Sequence, residues 1–501
     1  MKRNVLEYLE YNASHRPSKT AVIDQNKSYS YEELLMISRR IGSVIAEKFD
    51  MRMPIPILME KCADTLCAFM GVVQAGCFYV PLNPEFPESR LSQILSVLQA
   101  QVIITDNAHR EQAEKLMSSG RVLLLEELMA ANEDAELLSG IRSKAIDTDP
   151  LYANFTSGST GIPKGVVVAQ RSVLDFIEVF APMFSIGESD IIGNQAPFDF
   201  DVSVKDIYSA FKTGATLVII PRPFFSKPTA LLDFICEHEI TTMIWAVSAL
   251  CLISTCHGLE YRTPTTVKRV LFSGEVMPYK HLKSWMEHLP NADFVNLYGP
   301  TEITCNCTYH RISRKRDYSE GIPIGKAFPN EQVFLLDENN SEIKEPGKRG
   351  EICVRGTALA LGYFGNQPQT DAAFPNNPLN RWYPERIYRT GDLGKYSEDE
   401  ELIFCGRKDF QIKYMGHRIE LEEIERAISG ISQVERCCVI FSEKKQRLYG
   451  FYSGNIDKKQ LHIMLKEILP VYMIPGILRQ VDSFPLTKNG KIDRKLLLEE
   501  G

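Results

Sequence analysis

The sequence predicts an α/β protein with a large layered N-terminal part, a β-rich segment and a small α+β C-terminal domain. From about residue 20 to 330, short apolar runs alternate with segments of helical periodicity, and such alternation indicates layers of helices on strands. From about 320 to 407 the helical pattern fades, and short glycine-containing strands follow one another. After residue 407, patterns typical of strands and of helices alternate again. We therefore expect two domains, 1–407 and 408–501.

Individual elements can be placed by their periodicity and their breakers. In the large part, strands are predicted at AVID (21–24), QVIIT (101–105), TLVIIP (216–221), KRVLFSG (268–274) and DFVNLYG (293–299). In the small part we expect strands at 410–416, 434–441 and 447–453, helices at 419–429 and 458–469, and a loop over 476–494. The loop is predicted because proline and glycine punctuate that stretch.

Composition excludes several classes of protein. The net charge of −7 argues against a nucleic-acid binder, and no apolar run reaches the roughly 18 residues of a membrane span. The charged N-terminus with its helical pattern is unlike a secretory signal. Twelve scattered cysteines without a Cys-x-x-Cys pair favour neither zinc nor a disulfide scaffold, so we expect a reducing, cytoplasmic location. Cys305, Cys307, Cys437 and Cys438 are expected to be buried strand residues.

Residues 154–165, NFTSGSTGIPKG, have the composition of a loop that wraps a polyphosphate. Glycines let backbone N–H groups approach an anion, and hydroxyls and one ammonium group add donors. The stretch does not fit the Walker A pattern, and an ordinary flexible surface loop is the alternative. The candidate phosphate-binding residues are Thr156, Ser157, Gly158, Ser159, Thr160, Gly161 and Lys164.

Five further motifs follow this loop in a fixed order. They are FDFDVSVKDIY (198–208), NLYGPTE (296–302), GEICVRG (350–356), YRTGDLG (388–394) with GRKDFQIKYMGHRIELEEIE (406–425), and PLTKNGKIDR (485–494). With the loop, they resemble the adenylate-forming superfamily of acyl-CoA synthetases, luciferases and amino-acid adenylation domains. The resemblance implies a large adenylate-forming domain and a small mobile C-terminal domain that turns about Asp409 between two half-reactions.

The resemblance implies that ATP and a carboxylic acid give an acyl-AMP and pyrophosphate, and that a thiol then takes the acyl group. The loop would hold the β and γ phosphates, and Thr301 would donate to the α-phosphate. Glu302 would bind Mg²⁺, which bridges phosphate oxygens. Tyr298 would stack on adenine.

The remaining catalytic residues are also implied by the resemblance. Asp392 would accept both ribose hydroxyls, since a carboxylate offers acceptors and no donor, and Arg407 would donate to the ribose. Lys491 would contact the attacking carboxylate and the α-phosphate, for which a compact ammonium group is suited. Gly416 would line a tunnel for a pantetheine thiol, where a side chain would block the way.

By the same resemblance, Asp201 would distinguish amino-acid substrates from other acids. Amino-acid adenylation domains place an aspartate here for the substrate's α-ammonium group, and a buried carboxylate needs a cation; pairing with Lys205 is the alternative. The other pocket positions, aligned by motif except for Ile244, which no motif anchors, are Val202, Lys205, Ile244, Leu271, Ser273, Gly274, Leu297, Cys305 and Asn306. Their polarity predicts a small or polar amino acid, or an acidic one if Lys205 points inward.

Within the superfamily the chain looks most like stand-alone D-alanine–carrier protein ligases, although Ser273 and Lys205 depart from their pattern. No carrier segment follows the last motif, so we expect the carrier protein in trans, with Lys408, Lys413 and Arg418 able to meet its acidic surface. Two alternatives stay open. One is an acyl- or aryl-CoA ligase, against which Asp201 argues, and the other is a catalytically silent homologue that serves as a binding subunit.

Overall fold

The computed structural model describes residues 2–117, 120–158, 161–409, 411–442, 445–485 and 492–500. Its strands in the first half are β1 Thr20–Ile23, β2 Ser28–Ser30, β3 Pro54–Leu58, β4 Phe78–Leu82, β5 Val102–Thr105, β6 Arg121–Leu124, β7 Pro150–Thr156, β8 Lys164–Ala169, β9 Ile191–Asn194, β10 Thr216–Ile219, β11 Thr242–Ala246, β12 Arg269–Ser273 and β13 Asp293–Tyr298. The later strands are β14 Thr308–Arg311, β15 Lys326–Ala327, β16 Glu331–Leu336, β17 Glu342–Ile343, β18 Gly350–Gly356, β19 Gly362–Tyr363, β20 Tyr388–Tyr396, β21 Leu402–Arg407, β22 Gln411–Tyr414, β23 His417–Glu420, β24 Val434–Ser442, β25 Arg447–Gly454 and β26 Ile477–Gln480.

Helices connect and cover these strands. The α-helices are α1 Leu6–His15, α2 Tyr31–Lys48, α3 Ala63–Gln74, α4 Glu88–Leu98, α5 Arg110–Leu116, α6 Leu125–Met129, α7 Ala135–Lys144, α8 Gln170–Met183, α9 Val202–Thr213, α10 Pro228–Glu237, α11 Val247–Thr255, α12 Gly258–Tyr261, α13 Tyr279–His288, α14 Gln367–Ala373, α15 Leu421–Ser429, α16 Lys458–Lys466 and α17 Arg494–Glu500. Short 3-10 helices cover Arg222–Ser226, Thr301–Ile303 and Val471–Met473. None of the helices in the described ranges combines the length and apolar composition of a bilayer span.

The chain divides into two compact units. The first comprises 1–83, 100–154 and 166–408, and the second comprises 84–99, 155–165 and 409–501. The second unit therefore contains helix α4 and most of the predicted phosphate loop in addition to the C-terminal residues. Whether the chain moves as two domains that meet at residues 407–408 stays a prediction.

A nine-stranded sheet of the first unit has the order β15-β14-β13-β12-β11-β9-β10-β1-β2. Strands β9, β11, β12 and β13 are adjacent and parallel, so their carboxyl ends share one edge, where open α/β sheets bind ligands. The FDFDVSV segment follows β9, Ser273 ends β12, and Tyr298 ends β13. The topology thus brings together motifs that lie a hundred residues apart in the sequence.

The other sheets of the first unit complete the predicted layers. A seven-stranded sheet has the order β19-β8-β7-β4-β3-β5-β6, and a five-stranded antiparallel sheet has the order β17-β16-β18-β20-β21. In the latter, Asp392 and Arg407 are direct cross-strand partners. The α/β class and the β-rich segment after residue 320 are therefore confirmed.

In the second unit, a two-stranded hairpin (β22-β23) precedes a three-stranded sheet (β24-β25-β26). Helix α15 buries Leu421, Ile424 and Ile428, an apolar stripe at helical spacing. The predicted start of this helix at 419 is wrong, because Ile419 and its successor pair with β22. The predicted loop over 476–494 is also wrong in part: β26 pairs with β25 in parallel, and the backbone hydrogen bonds outweigh the nearby proline and glycine.

Each of the twelve cysteines is free. Cys438 is buried in β24, and Cys437 beside it is only half-buried. Cys305 and Cys307 are buried as predicted, but they precede strand β14 rather than lying in a strand. Cys305 has a left-handed backbone with φ of 78°, which removes it from extended pairing.

Candidate active site

The buried carboxylate of Asp392 contacts two other predicted nucleotide-binding residues of the first unit. Asp392 is 2% exposed, and the Tyr298 hydroxyl donates to its Oδ2 at 2.5 Å. The Arg407 guanidinium donates to its Oδ1 and, at 3.2 Å, to the carbonyl of Thr390. Burial, together with the negative charge of Asp392, raises the pKa of Tyr298 well above its ordinary value, so this tyrosine is a hydrogen-bond donor at neutral pH. The structure thus places Tyr298, Asp392 and Arg407 in one cluster.

Glu302 lies in the 3-10 turn after β13 and is fully buried. The Tyr363 hydroxyl donates to Glu302 Oε1 at 2.7 Å, and the Ala360 N–H donates to the backbone carbonyl of the same residue at 2.8 Å. Thr301 beside it is half-buried. Tyr363 is a contact that sequence reasoning missed, since a tyrosine in a strand as short as β19 (Gly362–Tyr363) leaves no pattern in the sequence.

Helix α9 presents the predicted substrate residues. Phe198, at the start of the motif that leads into the helix, is buried and packs its ring 5.6 Å from that of Phe69, which anchors the segment. The helix then buries Val204, Ile207 and Phe211 on one face. Asp201 immediately precedes the helix, and its side chain makes no capping hydrogen bond.

Lys205, one turn into α9, is fully buried. Its Nζ donates to Asn306 Oδ1 at 2.6 Å and lies 3.4 Å from Ser273 Oγ. Its partners at these distances are thus an amide and a hydroxyl, while Asp201 acts on it electrostatically, so the alternative pairing of Lys205 with Asp201 stays open. Burial lowers the pKa of Lys205, and the neighbouring Cys305 and Asp201 oppose that effect. We refer to Lys205, Ser273 and Asn306 as the polar cluster.

Backbone constraints fix the segment that carries Asn306. Thr304 and Cys305 both have positive φ, 53° and 78°, which is uncommon for residues other than glycine. The Cys305 thiol donates to the Asp201 carbonyl at 3.1 Å. A Cβ on Gly299 would lie 2.5 Å from the Asn306 Cα, so only glycine allows this close approach.

The other predicted pocket residues lie on the same sheet. Ile244, Leu271 and Leu297 are buried in neighbouring strands β11, β12 and β13, and Val202 is half-buried at the start of α9. Gly274 has φ of 99°, and a Cβ added to it would meet no described atom within 4 Å. Gly274 follows the carboxyl end of β12, and the assignment of these residues to one substrate pocket stays a prediction.

A second buried polar group lies next to Lys205 and was not predicted. Asp206 is fully buried, and Asn194 donates to its Oδ2 at 2.8 Å. Burial raises the pKa of Asp206 to about 8 and lowers that of Lys61, which donates to the Gln195 carbonyl at 2.7 Å, to about 7. Asn194 ends strand β9. A polar residue at the end of an apolar strand is the sequence feature that could have indicated this buried polar group.

The predicted phosphate loop is described in part, within the second unit. Ser159 and Thr160, and the predicted catalytic Lys491, lie outside the described residues. A Cβ on Gly158 would lie 2.0 Å from the Ile162 carbonyl oxygen, so the loop requires glycine there. Gly161 has φ of 80°, and its N–H donates to the Gly158 carbonyl at 2.8 Å.

Two described donors of this loop have acceptors outside it. The Ser157 hydroxyl donates to the Arg418 carbonyl at 2.7 Å, and the Gly158 N–H donates to Glu423 Oε2 at 3.2 Å. Among the described residues, the buried Thr156 hydroxyl has no hydrogen-bond partner, which is uncommon and costly. A ligand that accepts a hydrogen bond would satisfy it.

Residues at the predicted hinge and tunnel have local roles of their own. Asp409 accepts a hydrogen bond from the Gln411 N–H at 3.2 Å. Met415 and Gly416 form the two-residue turn of the β22-β23 hairpin, with φ of 52° and 80°. Such turns require positive φ at both positions, so turn geometry alone accounts for this glycine. Lys408, predicted to meet a carrier, lies 3.0 Å from Glu351.

Comparison with known proteins finds a matching family and similar proteins along nearly the whole chain. Residues 9–364 match the family described as AMP-binding enzyme. Gramicidin S synthase 1 of Brevibacillus brevis is 31% identical over 99% of this chain, which spans only 44% of that relative's length. D-alanine–D-alanyl carrier protein ligase of Bacillus cytotoxicus is 30% identical, with 99% of both chains covered.

A solved structure shows the same fold. The Vibrio cholerae adenylation domain AlmE, determined with glycyl-adenosine-5'-phosphate, superposes with a TM-score of 0.86 at 22% identity and covers 100% of this chain and 98% of its own. The family match extends over most of the chain, and the carrier protein ligase aligns along its full length. The protein described here therefore belongs to the family of AMP-binding enzymes.

Proposed function

We propose that this enzyme activates a small or polar amino acid with ATP as an aminoacyl-AMP and transfers it to the phosphopantetheine thiol of a separate carrier protein. The observation that carries the choice of substrate is the polar cluster next to Asp201. A carboxylate at the start of α9 can pair with an α-ammonium group, and Lys205 lies one turn further along the helix. The full-length similarity to a carrier protein ligase supports the second half-reaction.

The first-unit residues fit a nucleotide. Asp392 is a buried carboxylate with a tyrosine and an arginine as donors, and ribose hydroxyls would add donors to the same oxygens. Tyr298 carries an aromatic ring that adenine could stack on, and Arg407 neutralises the carboxylate when the site holds no nucleotide. ATP supplies the α-phosphoryl group that the substrate carboxylate attacks.

Phosphate contacts would come from the glycine-rich loop and from Thr301. The orphaned Thr156 hydroxyl and the obligate Gly158 support a loop built to approach an anion. Glu302 would hold Mg²⁺ with one carboxylate and the substrate phosphates, the usual arrangement for this ion. Its partner Tyr363 would orient the carboxylate.

Lys491 would supply the positive charge that the attacking carboxylate and the α-phosphate share. We expect Lys491→Ala to abolish amino-acid-dependent pyrophosphate release, because the attacking carboxylate and the α-phosphate would lose their shared cation; loss of one preorganised donor costs roughly 2.7–4 kcal/mol in other enzymes. Transfer from supplied aminoacyl-AMP should remain largely intact. Lys495→Ala, in α17, is the matched control. An equal loss of both half-reactions would contradict this role.

The amino-acid assignment is tested at Asp201. Asp201→Ala should raise the KM for the amino acid far more than the KM for ATP, because only the amino acid carries the ammonium group. Asp199→Ala, in the same motif, is the control. Equal effects on the two KM values would remove the argument for an amino acid and favour the acyl- or aryl-CoA ligase.

The later steps follow from the same proposal. The C-terminal residues would turn about Asp409 after adenylate formation, and the hairpin turn at Gly416 would line the path of the thiol. Lys413 and Arg418 would meet an acidic carrier, whereas Lys408 would first have to leave Glu351. We infer a cytoplasmic location, where ATP and free carrier proteins are present.

A further inference from the structure

One glutamate of helix α15 accepts a hydrogen bond from the backbone of the predicted phosphate loop. Glu423 is 5% exposed; its Oε1 accepts from Arg90 Nη1 at 2.7 Å, and its Oε2 accepts from the Gly158 N–H at 3.2 Å. Arg90 comes from α4 and is itself 4% exposed. All three residues belong to the second compact unit. A carboxylate oxygen therefore lies at a backbone N–H that a phosphate oxygen would use.

A second carboxylate, that of Glu420, lies within ion-pair distance of Lys164, the lysine of the loop. Lys164 Nζ lies 3.8 Å from Glu420 Oε1, and their side chains are 11% and 9% exposed. The Ser157 hydroxyl donates to the Arg418 carbonyl at 2.7 Å. Three kinds of donor in the loop, a hydroxyl, an N–H and an ammonium group, thus face acceptors from residues 418–423.

These contacts are costly to build and chemically selective. A carboxylate as buried as that of Glu423 loses its hydration, and burial raises its pKa despite the nearby Arg90. The ion pair with Arg90 needs only Oε1, so it does not account for the contact of Oε2 with the Gly158 N–H. A carboxylate gains from the arrangement because the loop offers donors shaped for an anion.

We propose that Glu423, assisted by Glu420, is an internal anion that holds the phosphate loop when no polyphosphate is bound and that ATP or pyrophosphate must displace. This inference rests on the proposed function, because it assumes that the loop binds phosphates. Both carboxylates are positioning residues in this account. Release of pyrophosphate would return the donors of the loop to them.

If the Glu423 carboxylate competes with pyrophosphate for the loop donors, removal of its charge should raise the affinity for pyrophosphate. A glutamine at 423 keeps the shape but binds the Gly158 N–H more weakly, since hydrogen bonds to charged groups are roughly twice as strong as neutral ones. Pyrophosphate would then displace a weaker competitor. We expect Glu423→Gln to lower the Kd for pyrophosphate about tenfold.

The experiment measures pyrophosphate binding to the full chain by calorimetry in the presence of Mg²⁺, without turnover. Glu422→Gln is the matched control, because Glu422 is the preceding residue of the same helix, 48% exposed, and lies 3.5 Å from Arg426; its Kd should equal that of the unmodified protein. If Glu423→Gln does not fold, Glu420→Gln is used, for which we expect a gain of about threefold.

An unchanged or higher Kd in the folded Glu423 or Glu420 variant, with exchange activity intact, would overturn the internal-anion proposal alone. If none of the proteins binds pyrophosphate and none supports amino-acid-dependent exchange, the loop is not a phosphate site. The proposed function then fails together with the inference.

Discussion

Replacement of Lys205 by methionine tests the substrate pocket most specifically. Methionine is similar in length but carries no charge and no donor. Two of the three N–H bonds of Lys205 have described acceptors, Asn306 at 2.6 Å and Ser273 at 3.4 Å, which leaves one for a substrate side chain. We expect Lys205→Met to lower kcat/KM for the preferred polar amino acid and to leave KM for ATP unchanged.

The size of the effect follows from the contacts. A hydrogen bond to a charged group contributes about 1.5–3 kcal/mol, which corresponds to roughly a 10- to 150-fold loss in kcat/KM. Stability has opposing terms: an unpaired Asn306 acceptor costs about 1–3 kcal/mol, while removal of a buried ammonium group recovers several kcal/mol of desolvation. The thermal unfolding midpoint should therefore stay level or rise.

The assay compares kcat/KM for a panel of amino acids with the unfolding midpoint of each variant. Lys212→Met is the matched control, since Lys212 lies in the last turn of the same helix and pairs with Glu178 at 2.6 Å, away from the pocket. Its amino-acid profile should be unchanged. An equal fall for every amino acid together with a lower midpoint would refute the reasoning, because Lys205 would then be a structural residue.

Two further predictions concern buried carboxylates. Burial raises the pKa of Glu331 from 4.5 to about 8. Between these two pH values the carboxyl group is protonated in the folded chain and ionised in the unfolded chain. The free energy of unfolding therefore falls as the pH rises towards 8, by up to about 1.4 kcal/mol per pH unit. Glu331→Gln should therefore gain stability relative to the unmodified protein between pH 5 and 8, unlike the exposed Glu338→Gln, and a pH-independent difference in unfolding midpoint would contradict this. Tyr298→Phe leaves an oxygen of Asp392 without its donor, at a cost of about 1–3 kcal/mol. ATP should then raise the midpoint more in this variant than in Tyr309→Phe, and an equal shift would argue against a ribose contact.

Parallel topology explains why so much of the site could be predicted. Each motif that follows one of the parallel strands of the nine-stranded sheet must emerge at the same edge, so Asp201, Ser273 and Tyr298 can be grouped from the sequence. The pairing of Asp392 with Arg407 follows from strand order as well, because both motifs belong to one antiparallel sheet. Hydrophobic periodicity places β1, β10, β12 and β13 of this sheet to within two residues.

Contacts made by isolated polar residues could not be predicted. Tyr363, Lys61 and Asp206 lie in segments whose local pattern signals only a loop or an amphipathic helix, and their role depends on distant partners. The contact of Glu423 with the phosphate loop joins residues 265 positions apart. Strand β26 was missed because its hydrogen bonds to β25 are tertiary and leave little trace in local propensity.

The central claim is tested most directly by ATP–pyrophosphate exchange with the unmodified protein. The panel contains the proteinogenic L-amino acids, D-alanine, D-serine and β-alanine, with fatty and aryl acids as controls. We predict one strong signal from a small or polar amino acid and none from acids that lack an amine. Exchange only with acids that lack an amine would contradict the account and identify the chain as a CoA-type ligase.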